Sequence, residues 1–204
     1  GESKKLWQRF VDAGLAECQE IYQLLQIEFE HLTGESFYND KMEEVVEKLI
    51  ASGAATKSEG ALVIDLAPHG MPPFLLKKSD GTTLYATRDL AALLYRQKTY
   101  QFSQALYVVG SEQKLHFRQL FKVCEILGYS WAASCKHIDF GLIHFKDGAM
   151  STREGKVIFL KDVIEKAVHL ARKIIEEKNP NLENIAETAQ AVGIGAIRFF
   201  DLAS

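Results

Sequence analysis

The stretch that decides the fold is QALYVVGSEQKLHFRQLFKVCEILGYSWAASCKHIDFGLI, residues 104–143. It opens with a short apolar run, Gln104 to Val109, that ends in Gly110. A helical pattern follows over 114–127, where Leu115, Leu120, Phe121, Val123, Cys124 and Leu127 recur on one side. Gly128 stands just past its end, where a helix commonly finishes in a left-handed residue. A second apolar run covers His137 to Ile143. Strand, helix and strand in that order, with apolar strands, predict a parallel sheet flanked by helices, an α/β fold.

The pattern continues on both sides. Upstream, Thr87 is placed to cap a helix running to about 97. Before it, residues 54–86 alternate in short stretches broken by Glu59-Gly60, Pro68-His69-Gly70 and Asp80-Gly81. Leu62–Leu66, Phe74–Lys77 and Thr83–Tyr85 are expected as the strands of a small antiparallel meander. Nearer the start, residues 5–24 have helical spacing and Gln26–Glu30 (QIEFE) alternates like a strand. A second helix is expected over 41–52, capped by Asp40 and ended by Gly53. Downstream, helices are expected at about 160–178 and 182–202, separated by Asn179-Pro180.

Composition narrows the function classes. The chain has 204 residues, 47% hydrophobic and 25% charged, with twelve Phe and seven Tyr. That is enough apolar surface for a folded core and excludes disorder as the main state. The net charge of −3 excludes a strongly basic nucleic-acid binder. Residues 1–60 hold twelve Asp and Glu against six Lys and Arg, so the remainder is mildly basic. Three cysteines at wide spacing make neither a disulfide framework nor a zinc pattern, and point to reduced, mostly buried thiols in a cytoplasmic protein. No apolar run reaches membrane-spanning length, so no membrane is expected as partner. The chain opens on Gly1 and reaches Ser204 without a helix stop, and is expected to be a piece of a longer protein.

Ligands of open parallel sheets sit beyond the carboxyl ends of the strands. Three polar loops are expected there: Thr33–Phe37, Gly110–His116 and Ile143–Lys156. The first offers Glu35. In the second, Gly110 permits close backbone approach, and Gln113 and His116 are three residues apart. The third carries Ser151, Thr152, Arg153 and Lys156 between Gly148 and Gly155, a candidate phosphate-binding loop. A fourth cluster is Tyr85-Ala86-Thr87-Arg88-Asp89. Two carboxylates, Glu35 and Asp89, with the Tyr85 hydroxyl would suit a guanidinium, whose five donors form a fixed fork. Each residue also has a plainer reading. Asp89 can serve its helix start, Glu35 can be a loop charge, Tyr85 can be packing, and Gln113 and His116 can be solvated helix residues.

Together these strings resemble one family. Gly34-Glu35-Ser36, Tyr85-x-Thr87-Arg88-Asp89-Leu90, Val108-Val109-Gly110 with Gln113, His116-Phe117-x-Gln119-Leu120, and Met150-Ser151-Thr152-Arg153-x-Gly155 recur in that order in arginyl-tRNA synthetases. The sequence resembles the later part of their class I catalytic domain. The resemblance implies the second half of a Rossmann-type sheet with a β insertion at about 54–86, residues 1–178 forming part of that domain. Residues 179–204 would be a helix leading toward an anticodon-binding domain.

It further implies activation of L-arginine with ATP and Mg2+, then transfer to tRNA(Arg). On this reading Glu35, Tyr85, Asp89 and Gln113 hold the amino acid. Gly110, Glu112, His116, Gly141, Leu142, Met150, Ser151 and Arg153 meet ATP, and Ser151 and Arg153 act on its phosphates. The sequence departs from the family signature in having Ala149 and Thr152 where lysines stand, and Glu154 beside them. Positive charge must then come from Arg153, Lys156 or Lys146. The family's first signature, His-Ile-Gly-His, does not occur in residues 1–204, so the isolated chain is expected not to aminoacylate. The alternative implied by these departures is a synthetase-like paralogue that binds arginine or tRNA without catalysis.

Overall fold

The computed structural model describes residues 1–141, 144–145, 148–149 and 159–203. The chain divides into two compact units, residues 33–142 and residues 1–32 with 143–204. Helix α1 is Glu2–Leu24; after a 3-10 turn at Glu35–Lys41 come α2 (Met42–Ala51), β1 (Ala55–Ser58), β2 (Ala61–Ile64) and β3 (Phe74–Lys77). Then follow α3 (Tyr85–Tyr100), β4 (Ala105–Gly110), α4 (Lys114–Ile126) and β5 (Cys135–Phe140). The last elements are a hairpin of β6 (His144–Phe145) and β7 (Gly148–Ala149), then α5 (Leu160–Lys178) and α6 (Ile185–Ala203).

In the 33–142 unit, β4 and β5 pair in parallel, from Ala105 opposite Cys135 to Gly110 opposite Phe140, with α4 as the crossover. This is the strand–helix–strand unit expected from residues 104–143. Gly128, at φ +78°, closes α4, its N–H bonding the Glu125 carbonyl while the Tyr129 N–H bonds that of Cys124. The three-stranded antiparallel sheet runs in the order β1, β2, β3. One core underlies both sheets: Leu49, Ile64, Leu66, Phe74, Leu76, Leu90, Leu93, Leu120 and Val123 are all almost fully buried.

The meander differs from the expected one at both ends. Its first strand is Ala55–Ser58, a polar stretch without the apolar alternation that marks a strand, joined to β2 through Glu59 and Gly60 at positive φ. Paired positive φ values match the twist of a two-residue hairpin. Thr83–Tyr85 is not a strand. Thr83 makes a single bridge to Lys77, and Tyr85 already begins α3. Thr87 is therefore inside the first turn, not its cap. Its buried hydroxyl donates to the Leu76 carbonyl at 2.6 Å, pinning the start of α3 to β3.

Two further expectations fail locally. Asp40 does not cap α2, because the preceding 3-10 turn runs straight into the helix and the Asp40 carboxylate is taken by Lys41. Gln26–Glu30 is not a strand. Gln26 takes φ +53°, and the Ile27 N–H bonds the Tyr22 carbonyl, so the segment is the closing motif of α1.

Among the described residues, the regular elements of the second unit are helices and the short hairpin. Leu25, Ile164 and Ile194 are buried together, with Ile21, Ile27, Val168 and Ile197 packed on them. α5 and α6 cross closely at Gly193, where a Cβ would lie 2.7 Å from the backbone of Val168. No helix among the described residues is long and apolar enough to cross a membrane.

Candidate functional site

The site is organised by the first two turns of α3. Thr87 fixes this end of the helix to β3, and Leu90 and Leu93 hold it on the core. Tyr85, Arg88 and Asp89 are left on its other sides. Asp89 is the fifth helical residue, because α3 begins at Tyr85, so the helix dipole acts on it less than a first-turn position would suggest.

Arg88 holds two partners and Asp89 one. Arg88 donates from Nη1 to Glu35 Oε2 at 2.6 Å and from Nε to Asn39 Oδ1 at 3.0 Å. This ties the 3-10 turn after Gly34 to α3. Asp89 Oδ2 lies 2.7 Å from His116 Nε2. An ionised carboxylate has no proton to give, so the imidazole donates. The expected pocket with two free carboxylates is thus organised as two pairings, an ion pair of Glu35 with Arg88 and a hydrogen bond of Asp89 with His116.

His116 projects from the first turn of α4 into an aromatic box. Phe74 stacks 6.5 Å away nearly parallel to it, Tyr85 lies at 5.0 Å and Phe117 at 5.2 Å. The result is a buried imidazole, 8% exposed, against a carboxylate that keeps 37% of its surface. Tyr85 is 57% exposed. β3 supplies both the ring under His116 and the carbonyl under Thr87. Gln119 of α4 also donates to the Pro72 carbonyl at 2.7 Å. The small antiparallel sheet therefore braces α3 and α4 from one side.

The carboxyl ends of β4 and β5 form the neighbouring surface. Gly110 ends β4, and a Cβ there would meet nothing closer than Glu112 Oε2 at 3.8 Å, so no crowding demands a glycine. Glu112 and Gln113 are exposed in the turn that leads into α4, and Gly141 is exposed just past β5. Lys114 pairs with Asp139 at 2.7 Å, joining the start of α4 to β5 and holding the Asp139 carboxyl below the usual range. Leu142, Met150, Ser151 and Arg153 lie outside the described residues. No three His, Cys, Asp or Glu side chains gather as a metal site among the described residues.

The structure thus brings Tyr85, Asp89 and His116 together. It places Glu35 one ion pair away and leaves Gln113 one helical turn ahead of His116. Sequence reading missed the part Arg88 plays. Its place beside Asp89 was visible, but a pairing across 53 residues has no local signal. It also missed Arg96, which donates to the Tyr107 hydroxyl at 3.2 Å. Burial pushes that phenol up to about 12, the arginine only partly opposing it.

A family model for the catalytic domain of class I tRNA synthetases (R) matches residues 1–204. The chain is 48% identical over 201 residues to a Halothermothrix orenii protein named arginine–tRNA ligase, covering 98% of this chain and 36% of the relative. It is 51% identical over 198 residues to the Clostridium perfringens protein of the same name, covering 97% and 35%. The chain therefore spans about a third of the length of these curated relatives. Among solved structures, Plasmodium falciparum arginyl-tRNA synthetase superposes with a TM-score of 0.81 at 25% identity, over 98% of this chain and 34% of that one. The Thermus thermophilus arginyl-tRNA synthetase also gives 0.81, at 21% identity, over 94% and 39%.

Proposed function

The chain belongs to the class I tRNA synthetase (R) catalytic-domain family, and from that premise we propose that it is the segment of an arginine–tRNA ligase that receives the side chain of L-arginine. The observation that carries this is the Asp89 carboxylate, held on one oxygen by His116, partly exposed and beside the exposed Tyr85. A guanidinium is a planar fork of donors and is matched by a carboxylate and a phenol oxygen on one side. Lysine offers only a compact ammonium, and neutral isosteres would leave the carboxylate unpaired, which is how such a site selects. Glu35 enters the site through Arg88, and Gln113, at the start of α4, is assigned to the amino-acid end of the substrate.

ATP is assigned to the carboxyl ends of β4 and β5, at Gly110, Glu112 and Gly141, and from sequence alone to Leu142 and the Met150, Ser151 and Arg153 loop. Mg2+ would arrive on the ATP phosphates, which with one or two carboxylates are its usual ligands. The arginine carboxylate oxygen attacks the α-phosphorus, the bond to the bridging oxygen breaks, and pyrophosphate leaves. A hydroxyl of tRNA(Arg) then attacks the carbonyl carbon of arginyl-adenylate and AMP leaves. Both steps need positioning and charge stabilisation more than proton transfer by the protein. The setting proposed for this work is the cytoplasm.

The test is arginine-dependent ATP–pyrophosphate exchange by the full-length enzyme. Asp89→Asn is expected to raise KM for arginine about thirtyfold or more, the scale of losing one side of a charged pair, with KM for ATP little changed. An unchanged KM for arginine would remove Asp89, and this reading of the site with it.

A further inference from the structure

We infer that His116 is a positioning residue for the arginine side chain, acting through Asp89, and is not a contact of the nucleotide. This rests on the assignment of Asp89 to the guanidinium. The family strings place His116 on the nucleotide side, in the turn beyond β4. Its geometry points the other way. Nε2 is committed to Asp89 Oδ2 at 2.7 Å. The ring is 8% exposed and lies among Phe74, Tyr85 and Phe117, so little of it is open to a ligand.

The two oxygens of Asp89 differ. Oδ2 is fixed by the imidazole, whereas Oδ1 has no hydrogen-bond partner among the described residues, and the side chain remains 37% exposed. A carboxylate on an exposed helix face turns about two side-chain bonds. One anchored oxygen removes most of that freedom and sets the plane in which the other is offered. A guanidinium depends on that plane, since its donors lie in a fixed fork. The imidazole's own orientation is set in turn by rings from three elements: Phe74 of β3, Tyr85 of α3 and Phe117 of α4. The relay runs from the small antiparallel sheet to His116, then to Asp89, then to the substrate.

His116→Phe keeps a ring in the box and removes the donor. His116→Gln puts an amide N–H near the position of Nε2. In arginine-dependent ATP–pyrophosphate exchange by the full-length enzyme, His116→Phe is expected to raise KM for arginine about ten- to hundredfold, the range of a lost hydrogen bond to a charged group. KM for ATP should stay within about twofold. His116→Gln should recover most of the arginine KM. Discrimination between arginine and its neutral isostere citrulline should fall in the Phe variant and return in the Gln variant, which a merely structural role would not produce.

A rise in KM for ATP with KM for arginine unchanged would overturn the inference, as would equal arginine KM in all three proteins. If the Phe variant does not fold, His116→Asn takes its place, because its shorter amide does not reach Asp89 Oδ2: a raised KM for arginine with KM for ATP unchanged supports the proposal, and a raised KM for ATP or an unchanged KM for arginine sinks it. Asp89→Asn separates the two readings. If it leaves arginine binding intact, the site assignment fails. If it weakens arginine and His116→Phe does not, only the role of His116 fails.

Discussion

Helices α1 and α3 make an instructive pair. α1 is the longer, with 23 residues, and the more cleanly amphipathic, yet none of its residues is buried. α3 has 16 residues and a weaker stripe, yet it buries Ala86, Thr87, Leu90, Ala91, Ala92 and Leu93. On α1 the apolar side chains Leu6, Trp7, Phe10 and Leu15 stay exposed. Periodicity tells where a helix forms, but not what its apolar side meets. α3 carries the candidate site because two of its sides are engaged. One side is seated on the core, and that fixes the direction in which Tyr85, Arg88 and Asp89 leave it.

The sharpest way to break this contrast is to remove the seat. Leu90 is fully buried under α3. Leu90→Ala is expected to cost about 2–5 kcal/mol, transfer and cavity terms together. Denaturant unfolding should show the loss. If α3 were as loosely held as α1, the variant would unfold at the same denaturant concentration as the parent.

The same contrast explains what was legible in the sequence. β4, α4 and β5 were, because two apolar runs flank a helical pattern that Gly128 ends. β1 was not, because Ala55–Ser58 is mostly exposed and polar, and only its pairing with β2 makes it a strand. Gln26–Glu30 imitated a strand by alternating, with no strand beside it among the described residues, and the left-handed Gln26 turned it into a helix ending. Thr87 looked like a cap because threonine is among the residues preferred at helix N-caps. The competing acceptor was the Leu76 carbonyl, eleven residues back. In the site, Tyr85, Asp89 and His116 could be named individually from their strings. The partition into Glu35 with Arg88 and Asp89 with His116 could not, because it depends on which atoms the fold brings within 2.7 Å.

The three cysteines sharpen the comparison with a smaller effect. Reduced, mostly buried thiols were expected; Cys124 on α4 and Cys135 on β5 are buried, while Cys18 on α1 is exposed. Burial pushes both of the latter up, Cys135 to about 11 from its ordinary 9.0. A group whose folded value is raised contributes stability in full below its unfolded value and loses it as pH rises through the folded one. The core of the 33–142 unit should therefore weaken from about pH 9 toward about pH 11. Under native conditions at pH 8, a disulfide exchange reagent should titrate one thiol quickly, and three after denaturation. Three fast thiols in the native protein would mean that α4 and β5 open as easily as α1.

The smallest effect is expected on α1, whose apolar pattern is the clearer of the two helices. Phe10 lies at the centre of the apolar stripe of α1 and is 70% exposed. If burial rather than periodicity stabilises a helix, Phe10→Ser should change unfolding free energy by no more than about 0.5 kcal/mol, the range of ordinary surface substitutions. Helix propensity adds almost nothing, because serine and phenylalanine rank alike in a helix interior. Gdm unfolding of the chain, followed by helical circular dichroism, reads this directly. A loss above about 2 kcal/mol, the scale of a deleted core contact, would show that the stripe of α1 is covered in solution, and the two helices would then differ only in what covers them.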